Sequence, residues 1–593
     1  MSLGLASGLK AQNLDQVGGK DPLKITGGLS VNQIAYTASG LQSRREPYTM
    51  YLAGNLNFDL YGWSVPVSMS YSNQQFAYQQ PFNQYGLHPT YKWVTGHLGW
   101  ASMSFSPYTL SGHLFRGAGV ELNPEGGFHF SAMWGRLQQA VDPVIDSLAN
   151  GTGSEMAFSA AGLQAAYKRT GWGFKTGYGK EGHEINFSLF SAQDHTESVA
   201  GWVADSLDLL PEENLVMSLS GQTRILKKFT FNAEVATTAL TRDRREDEAD
   251  ARGVFVATPF LFKATNTTEY YGAYKANVNY AGSFYTVGMA YERVDPGYQT
   301  LGAYYFNNDI ESISFTSNTA LFSGKVNLGL NVGTQRDDLN DNKLSNMRRL
   351  ATTINVNWVA SDRLNLNAGI NTFQTITNVR PQLQQISQLT PYDNLDTLNF
   401  TQISRSANLN GNYQLNTSKD YRQSVSLNLG VQTAADEQGN ETAFAGTQFY
   451  NANGSYTLAL AKIGLNISAG ANYSLNTIDT LRSSTLGPTL SLSKPLFDKK
   501  VKTSLALTHN RVNQQGELQN TVWTARLGGS YAIQKKHALN LSLVALNRAA
   551  LDRGNNNLAA ESTAARSFTE FTATLGYSYR FGLLGNTKKA ANP

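Results

Sequence analysis

Along much of the chain apolar and polar residues alternate one for one. The stretch Ile463–Asn476 shows it most plainly. Ile463, Leu465, Ile467, Ala469, Ala471, Tyr473 and Leu475 fall on one face of an extended strand, and Gly464, Asn466, Ser468, Gly470, Asn472, Ser474 and Asn476 fall on the other. One face therefore meets an apolar phase and the other meets water. The stretch is longer than the usual strand of about 5–6 residues and long enough to cross a bilayer at a tilt, which takes about 9–11. The same period recurs downstream. Val326, Leu328, Leu330 and Val332 alternate with Asn327, Gly329, Asn331 and Gly333, and Ile354, Val356 and Trp358 alternate with Asn355 and Asn357. Leu364, Leu366, Ala368 and Ile370 alternate with Asn365, Asn367, Gly369 and Asn371, and Leu539, Leu541, Leu543 and Ala545 alternate with Asn540 and Ser542. Successive segments of period two predict a meander of antiparallel strands.

The connections carry a second rhythm. Short turns fall near 226–228, 282, 323–325, 361–363, 416–419, 462, 497–500 and 534–536, and longer polar loops near 240–266, 295–309, 336–346, 377–398, 435–442 and 550–566. Short and long alternate with few exceptions, as in outer-membrane barrels, whose periplasmic turns are short and outer loops long. In the first third, strands are predicted near 24–37, 48–59, 61–73, 91–107, 110–122, 127–139, 157–168, 172–180 and 183–193. The total is about 26, or about 24 without the hairpin 110–139. The expected fold is an all-β, transmembrane, antiparallel β-barrel over 24–581, after a leader or signal-peptide remnant and lead-in at 1–23 and before a polar periplasmic tail at 582–593. The last strand sets Phe571, Ala573, Leu575, Tyr577, Tyr579 and Phe581 on one face and resembles the terminal signal read by barrel-assembly machinery, except that the polar tail follows it.

Composition adjusts this picture only in places. The chain has 593 residues, no cysteine and a formal net charge of +4, so disulfides, thiol chemistry and Cys-based zinc sites are excluded and nucleic acid is not an implied partner. Mean hydropathy is −0.32, and no apolar run of helical spanning length occurs; alternating barrel strands average to just such mildly polar values.

Leu110–Pro124 with Gly135-Arg136-Leu137, and Arg293–Asp309, are similar to passages in large outer-membrane barrels of Bacteroidota. The resemblance covers about an eighth of the chain and implies a barrel with no assigned activity.

Catalytic signals are thin. Neither a phosphate-binding Gly-rich loop nor His-Glu-x-x-His occurs. Most of the eight histidines lie between His88 and His195 without metal-ligand spacing, and no metal or cofactor is implied. His509, at the outer end of an apolar strand face, reads as an interfacial histidine rather than part of a lipase. Arg242–Arg252 reads as a solvated loop of mixed charge, and Asp337, Asp338, Asn340, Asp341 and Asn342 lack the glycine and terminal glutamate of a calcium loop. No enzyme is expected.

The expected lumen lining is Asn327, Asn331, Asn355, Asn357, Asn365, Asn367, Asn371, Asn466, Ser468, Asn472 and Asn540, a neutral wall that filters charge only weakly. A barrel this wide requires a filling, because barrels of about 22 strands are already plugged. The candidates are Ser72–Pro89, Asp142–Glu155, His195–Pro211 and Asn378–Leu395, with Trp202, Val203, Leu207 and Leu210 as the apolar face of a short helix that either folds into the lumen as a plug or stays outside as a loop helix or partner surface, since amphipathicity does not say which surface is covered. The lead-in is too short for a separate plug domain, so a TonB-dependent transporter is not expected. The reading is a transport or translocation channel of the bacterial outer membrane, in contact with its lipid. The alternative is a non-conducting assembly or secretion barrel that docks periplasmic or surface lipoproteins.

Overall fold

A computed structural model describes residues 23–41, 43–73, 83–141, 165–337, 339–340, 348–376, 401–435, 437–438, 441–442, 447–478, 480–533, 536–551 and 567–583. Their strands close into an antiparallel barrel of 26 strands with a mean radius of 24 Å. Each strand pairs with its sequence neighbours, and the ring is sealed where Leu23–Ser39 pairs with both Tyr48–Leu60 and Phe568–Leu583. Val31, for example, lies between Leu52 and Tyr577. Closure leaves no unpaired edge, which a strand assembly in hydrocarbon requires. The Tyr36 hydroxyl donates to Glu570 across the seam at 2.6 Å, and Arg44 lies 3.8 Å from the same carboxylate.

The period-two pattern explains the wall. Large apolar side chains such as Leu427, Leu429, Tyr473, Leu490, Leu507 and Leu527 stand exposed on its outside, and a continuous exposed apolar surface of this kind is a lipid-facing one. Two-residue turns at Tyr61-Gly62 and Glu181-Gly182 have both residues at positive φ, the hairpin geometry that matches strand twist. The turn before Leu465–Ile478 is Ala461–Gly464, so Ile463 lies in the turn and not on the strand face expected for it.

The count of 26 is reached by a different route from the one expected. The hairpin Ser111–Leu122 and Phe128–Gln138 is part of the wall. The expected strand 157–168 is not: Lys168–Lys180 is one strand, Tyr167 precedes it, and 142–164 lie outside the described residues. In its place stands a broken strand, Gln84–Leu87 and Thr90–Tyr91, between Trp63–Ser72 and Val94–Ser104. Part of the expected filler Ser72–Pro89 is therefore wall. Residues 1–22, Asp142–Glu155, all of Asn378–Leu395 and the tail after Leu583 lie outside the described residues.

Two loop systems pack against the barrel on opposite surfaces. Inside, the connections 105–110 and 295–309 bury Phe105, Tyr108, Leu110, Tyr298 and Leu301 against inward-facing Phe115, Leu137, Phe190, Val216 and Ala273. Outside, the connection 242–267 lies down on the wall. Its Phe255, Phe262 and Ala264 cover outward-facing Leu189, Leu215 and Ala239, while Val254, Val256 and Phe260 remain exposed.

Candidate functional site

The lumenal wall has two chemically distinct sectors. Along the strands from Val326 to Ile478, side chains of one row meet directly across every pair: Asn327, Asn357, Asn367, Asn410, Asn428, Asn453 and Asn472. A second row, two residues along, alternates amide with glycine: Asn318, Gly329, Asn355, Gly369, Asn408, Gly430 and Asn451. Directly opposed residues lie within side-chain reach, so the first row is a ladder of carboxamides, each with donors and an acceptor, and the second spaces its carboxamides with glycines. The glycines make room for it. A Cβ at Gly369 would stand 2.6 Å from Asn408 Oδ1, and one at Gly430 would collide with Asn451 Oδ1. Asn428 Nδ2 donates to Asn410 Oδ1 along the row. The ladder borders a recess of about 680 Å³ lined by Asn318, Asn327, Asn355, Asn357, Asn367 and Asn408.

Of the residues expected to line the lumen, Asn327, Asn357, Asn367 and Asn472 sit in the first row and Asn355 in the second. Asn331 and Asn371 flank Thr353 one step further along, and Asn365 pairs with Asn412 beside a smaller recess. Asn466 donates to Ser493 at 3.3 Å, Ser468 accepts from Thr457 at 3.1 Å, and Asn540 pairs with Gly576 near the seam. The sequence reading missed Asn318, Asn408, Asn410, Asn428, Asn451 and Asn453. Their alternation was visible in the chain, but the rows they complete depend on register.

The other sector, from Val94–Ser104 to Tyr285–Val294, departs from the expected neutrality. His97 lies 3.2 Å from Glu121 and His88 lies 3.0 Å from His97. Glu121, His129, Lys175, His183 and Glu184 border one recess of about 520 Å³, and Glu184, Glu234 and Lys275 border another of about 280 Å³. The histidines spread between His88 and His195 in sequence are thus partly gathered by the sheet.

The long-loop end of this charged sector holds the filling. Asn214 is fully buried on the inner wall and works as a four-way clamp. The two hydrogens of its Nδ2 are shared among Thr238 Oγ1 at 2.6 Å, the Ala239 carbonyl at 3.1 Å and the Gln299 carbonyl at 3.4 Å, while its Oδ1 accepts from the Leu301 amide at 3.2 Å. Loop 295–309 then joins loop 105–110: the Tyr298 hydroxyl donates to the Tyr108 carbonyl at 2.9 Å, and the Thr300 hydroxyl to the Thr109 carbonyl at 2.7 Å. The Tyr304 ring stacks on His113 with centroids 4.0 Å apart, and the Leu114 amide donates to its hydroxyl at 3.1 Å. Burial pushes the Tyr298 phenol up, and burial with the hydrogen bond to Glu292 does the same for Tyr108, so both stay neutral donors. At the rim, Arg169 binds Asp194 through two hydrogen bonds of 2.8 Å and reaches Glu212 at 3.0 Å; Arg242 extends the network to Gln299 at 3.2 Å. The two passages that resemble other barrels, Leu110–Pro124 and Arg293–Asp309, are the ones that pack together here.

The expected plug helix does not share this position. Gly201–Ser206 is a helix, but Val199, Val203 and Ala204 pack on Tyr167 and Leu209, and Asp205 reaches Arg245 at 3.2 Å. It caps the rim, with Trp202, Leu207 and Leu210 exposed. Among the described residues the filling comes from connection 105–110 and from loop 295–309, which was expected to be external and polar. His509 stacks on outward-facing Trp523 with centroids 4.2 Å apart.

No family model matches the chain, and no curated protein matches it by sequence. Among solved structures it is similar to the P pilus usher (PapC) translocation pore, with 11% identity and a TM-score of 0.38 over 95% of this chain and 100% of that one. It is also similar to the FrpB iron transporter of Neisseria meningitidis, with 10% identity and a TM-score of 0.36 over 96% of this chain and 84% of that one. The ferric enterobactin receptor PfeA of Pseudomonas aeruginosa gives 12% identity and a TM-score of 0.38 over 94% and 80%. The likeness is one of barrel shape. The closed ring, its apolar outer wall and its segregated loop lengths define a large β-barrel protein of the bacterial outer membrane.

Proposed function

We propose that the barrel conducts a neutral polar solute, rich in hydroxyl or amide groups, along the asparagine ladder. The reading rests on one observation: carboxamides opposed across consecutive strands, with glycines holding space between them. Such a wall exchanges hydrogen bonds with a solute at every step and holds no charge that would trap an ion. The clamp at Asn214 and the inward loops make the filled sector a support or gate, and leave the amide sector as the path.

The test is flux through liposomes carrying the purified barrel. Replacing Asn357, Asn367, Asn410 and Asn428 by leucine is expected to lower neutral oligosaccharide or peptide flux by about fivefold for each solute hydrogen bond lost, since one such bond nets about 1 kcal/mol. Equal flux in wild type and the leucine variant would remove the ladder from the path.

A docking role is favoured by a different observation, the exposed Val254, Val256 and Phe260 on the outer flap. Under that reading, Val256→Asp with Phe260→Asp releases lipoproteins that co-purify from native outer membrane. Unchanged co-purification would leave the flap a lipid contact.

A further inference from the structure

We propose that Arg116 and Arg136 form a site on the outer wall for the phosphate of an outer-leaflet lipid headgroup. The two residues are directly opposed on neighbouring strands, and both point to the lipid side. Their facing is fixed by register. One step toward the short turns, the same face carries Leu98, Ala118, Trp134 and Trp172, with Trp134 66% exposed. At the far end of the same strands the face carries the exposed pair Phe128 and Tyr178.

Eight residues separate Phe128 from Arg136. At a rise of about 3.3 Å per residue along a strand tilted by about 40°, they span roughly 20 Å of membrane depth. An outer-membrane barrel has an apolar band of about 25 Å flanked by aromatic girdles. Phe128 and Tyr178 thus mark the inner boundary. The arginines stand at the outer boundary, just beyond Trp134, at the depth of headgroup phosphates.

Charge balance argues that something is bound there. Like charges directly opposed across a strand pair destabilise the pair. At the rim nearby, cations are neutralised within the chain: Glu311 lies within ion-pair distance of both Arg293 and Arg336, and Arg244 meets Glu213 at 2.7 Å. Among the described residues no carboxylate pairs with Arg116 or Arg136. The surroundings are those of a phosphate site. The Arg136 guanidinium lies 6.0 Å from the Trp100 ring, which restrains it. Thr170, directly opposite Arg136, adds a hydroxyl whose Oγ1 is 2.8 Å from His195 Nε2. Two guanidinium forks and a hydroxyl match a tetrahedral oxyanion, and the Leu98–Ala118–Trp134 surface below accepts the acyl chains of the same molecule.

The experiment is native mass spectrometry of the full chain in nanodiscs containing bisphosphorylated glycolipid, its dephosphorylated form, or neither with added inorganic phosphate. Wild type is expected to retain the phosphorylated glycolipid, and Arg116→Gln with Arg136→Gln to retain at least about tenfold less, each lost charge-assisted bond being worth about 1.5–3 kcal/mol. A heat-modifiable barrel band on gels confirms that the variant is folded, and a single Trp134→Phe variant that keeps both arginines is expected to retain lipid. Equal retention by wild type and the glutamine variant overturns the site. Equal retention of the dephosphorylated lipid overturns the phosphate assignment. Binding of inorganic phosphate alone, with displacement of lipid, makes it an ion site and overturns the lipid assignment.

Discussion

At the residue scale the decisive side chains are small amides whose importance comes from what they face. Asn214 and Asn410 look alike in the sequence, each an asparagine beside a leucine in a strand. Asn214 is buried and satisfies the backbone of an inward loop, while Asn410 stands in an open row. Replacing Asn214 by alanine strands the Leu301 amide, at a cost of about 1–3 kcal/mol for a buried group left unsatisfied, and leaves the Gln299 carbonyl to the Thr238 hydroxyl alone. The expected outcome is higher and noisier conductance in planar bilayers with the barrel still folded; a quiet wild-type trace would show that the loop holds without its clamp. Asp243 gives the pH counterpart, outside the spanning strands. Hydrogen bonds from Arg245 hold its carboxyl below the usual range against the opposing effect of burial. A depressed carboxylate stabilises the fold above its unfolded value and loses that contribution as pH falls through the folded value. The rim around the outer flap should therefore resist protease at pH 5 and loosen only below about 4, the ordinary carboxylate value. Cleavage rising near neutral pH would contradict this.

At the element scale most strands were legible, the broken strand at Gln84–Leu87 and Thr90–Tyr91 excepted, and loop directions were not. Period two needs only the local sequence, and it yields Leu364–Ile376 and Tyr421–Ala435 directly. Where a loop goes depends on partners far away in the chain. Loop 295–309 turns inward because Asn214 and Thr238 meet its backbone and its Thr300 hydroxyl donates to the Thr109 carbonyl, partners 61 to 191 residues distant. The helix Gly201–Ser206 stays on the rim because its apolar face fits Tyr167, a match that amphipathicity alone does not specify. The amide ladder was half legible for the same reason: each asparagine is visible in its own strand, and the row exists only once register is set by the turns. The inward loops meet most closely at Gly302, where an added Cβ would stand 2.7 Å from the Thr109 carbonyl oxygen and 2.7 Å from the Phe190 ring. Gly302→Val is expected to pry the two loops apart and raise conductance, and the same substitution at Gly529, where the backbone is ordinary and a Cβ meets nothing within 4 Å, serves as the control. Equal conductance in the two variants would mean that the loop contact closes nothing.

At the scale of the whole molecule, the barrel divides its circumference between two kinds of wall. A sector of His, Glu and Lys carries the buried inward loops, and a sector of Asn, Ser and Gly carries the ladder. The division has an electrical consequence. If solute and ions pass along the amide sector, the wall they meet has dipoles and no net charge, and charges across a barrel of 24 Å radius are screened, because the Debye length is about 8 Å at physiological ionic strength. The reversal potential in a potassium chloride gradient should then lie close to zero at neutral pH. Glu234→Gln and Lys275→Gln, which change the charged sector, should leave it there. If conduction instead follows the charged sector, those two substitutions should shift the reversal potential in opposite directions. A strong cation or anion preference that moves with them would transfer the path from the ladder to the histidine–glutamate side and make loop 295–309 its gate.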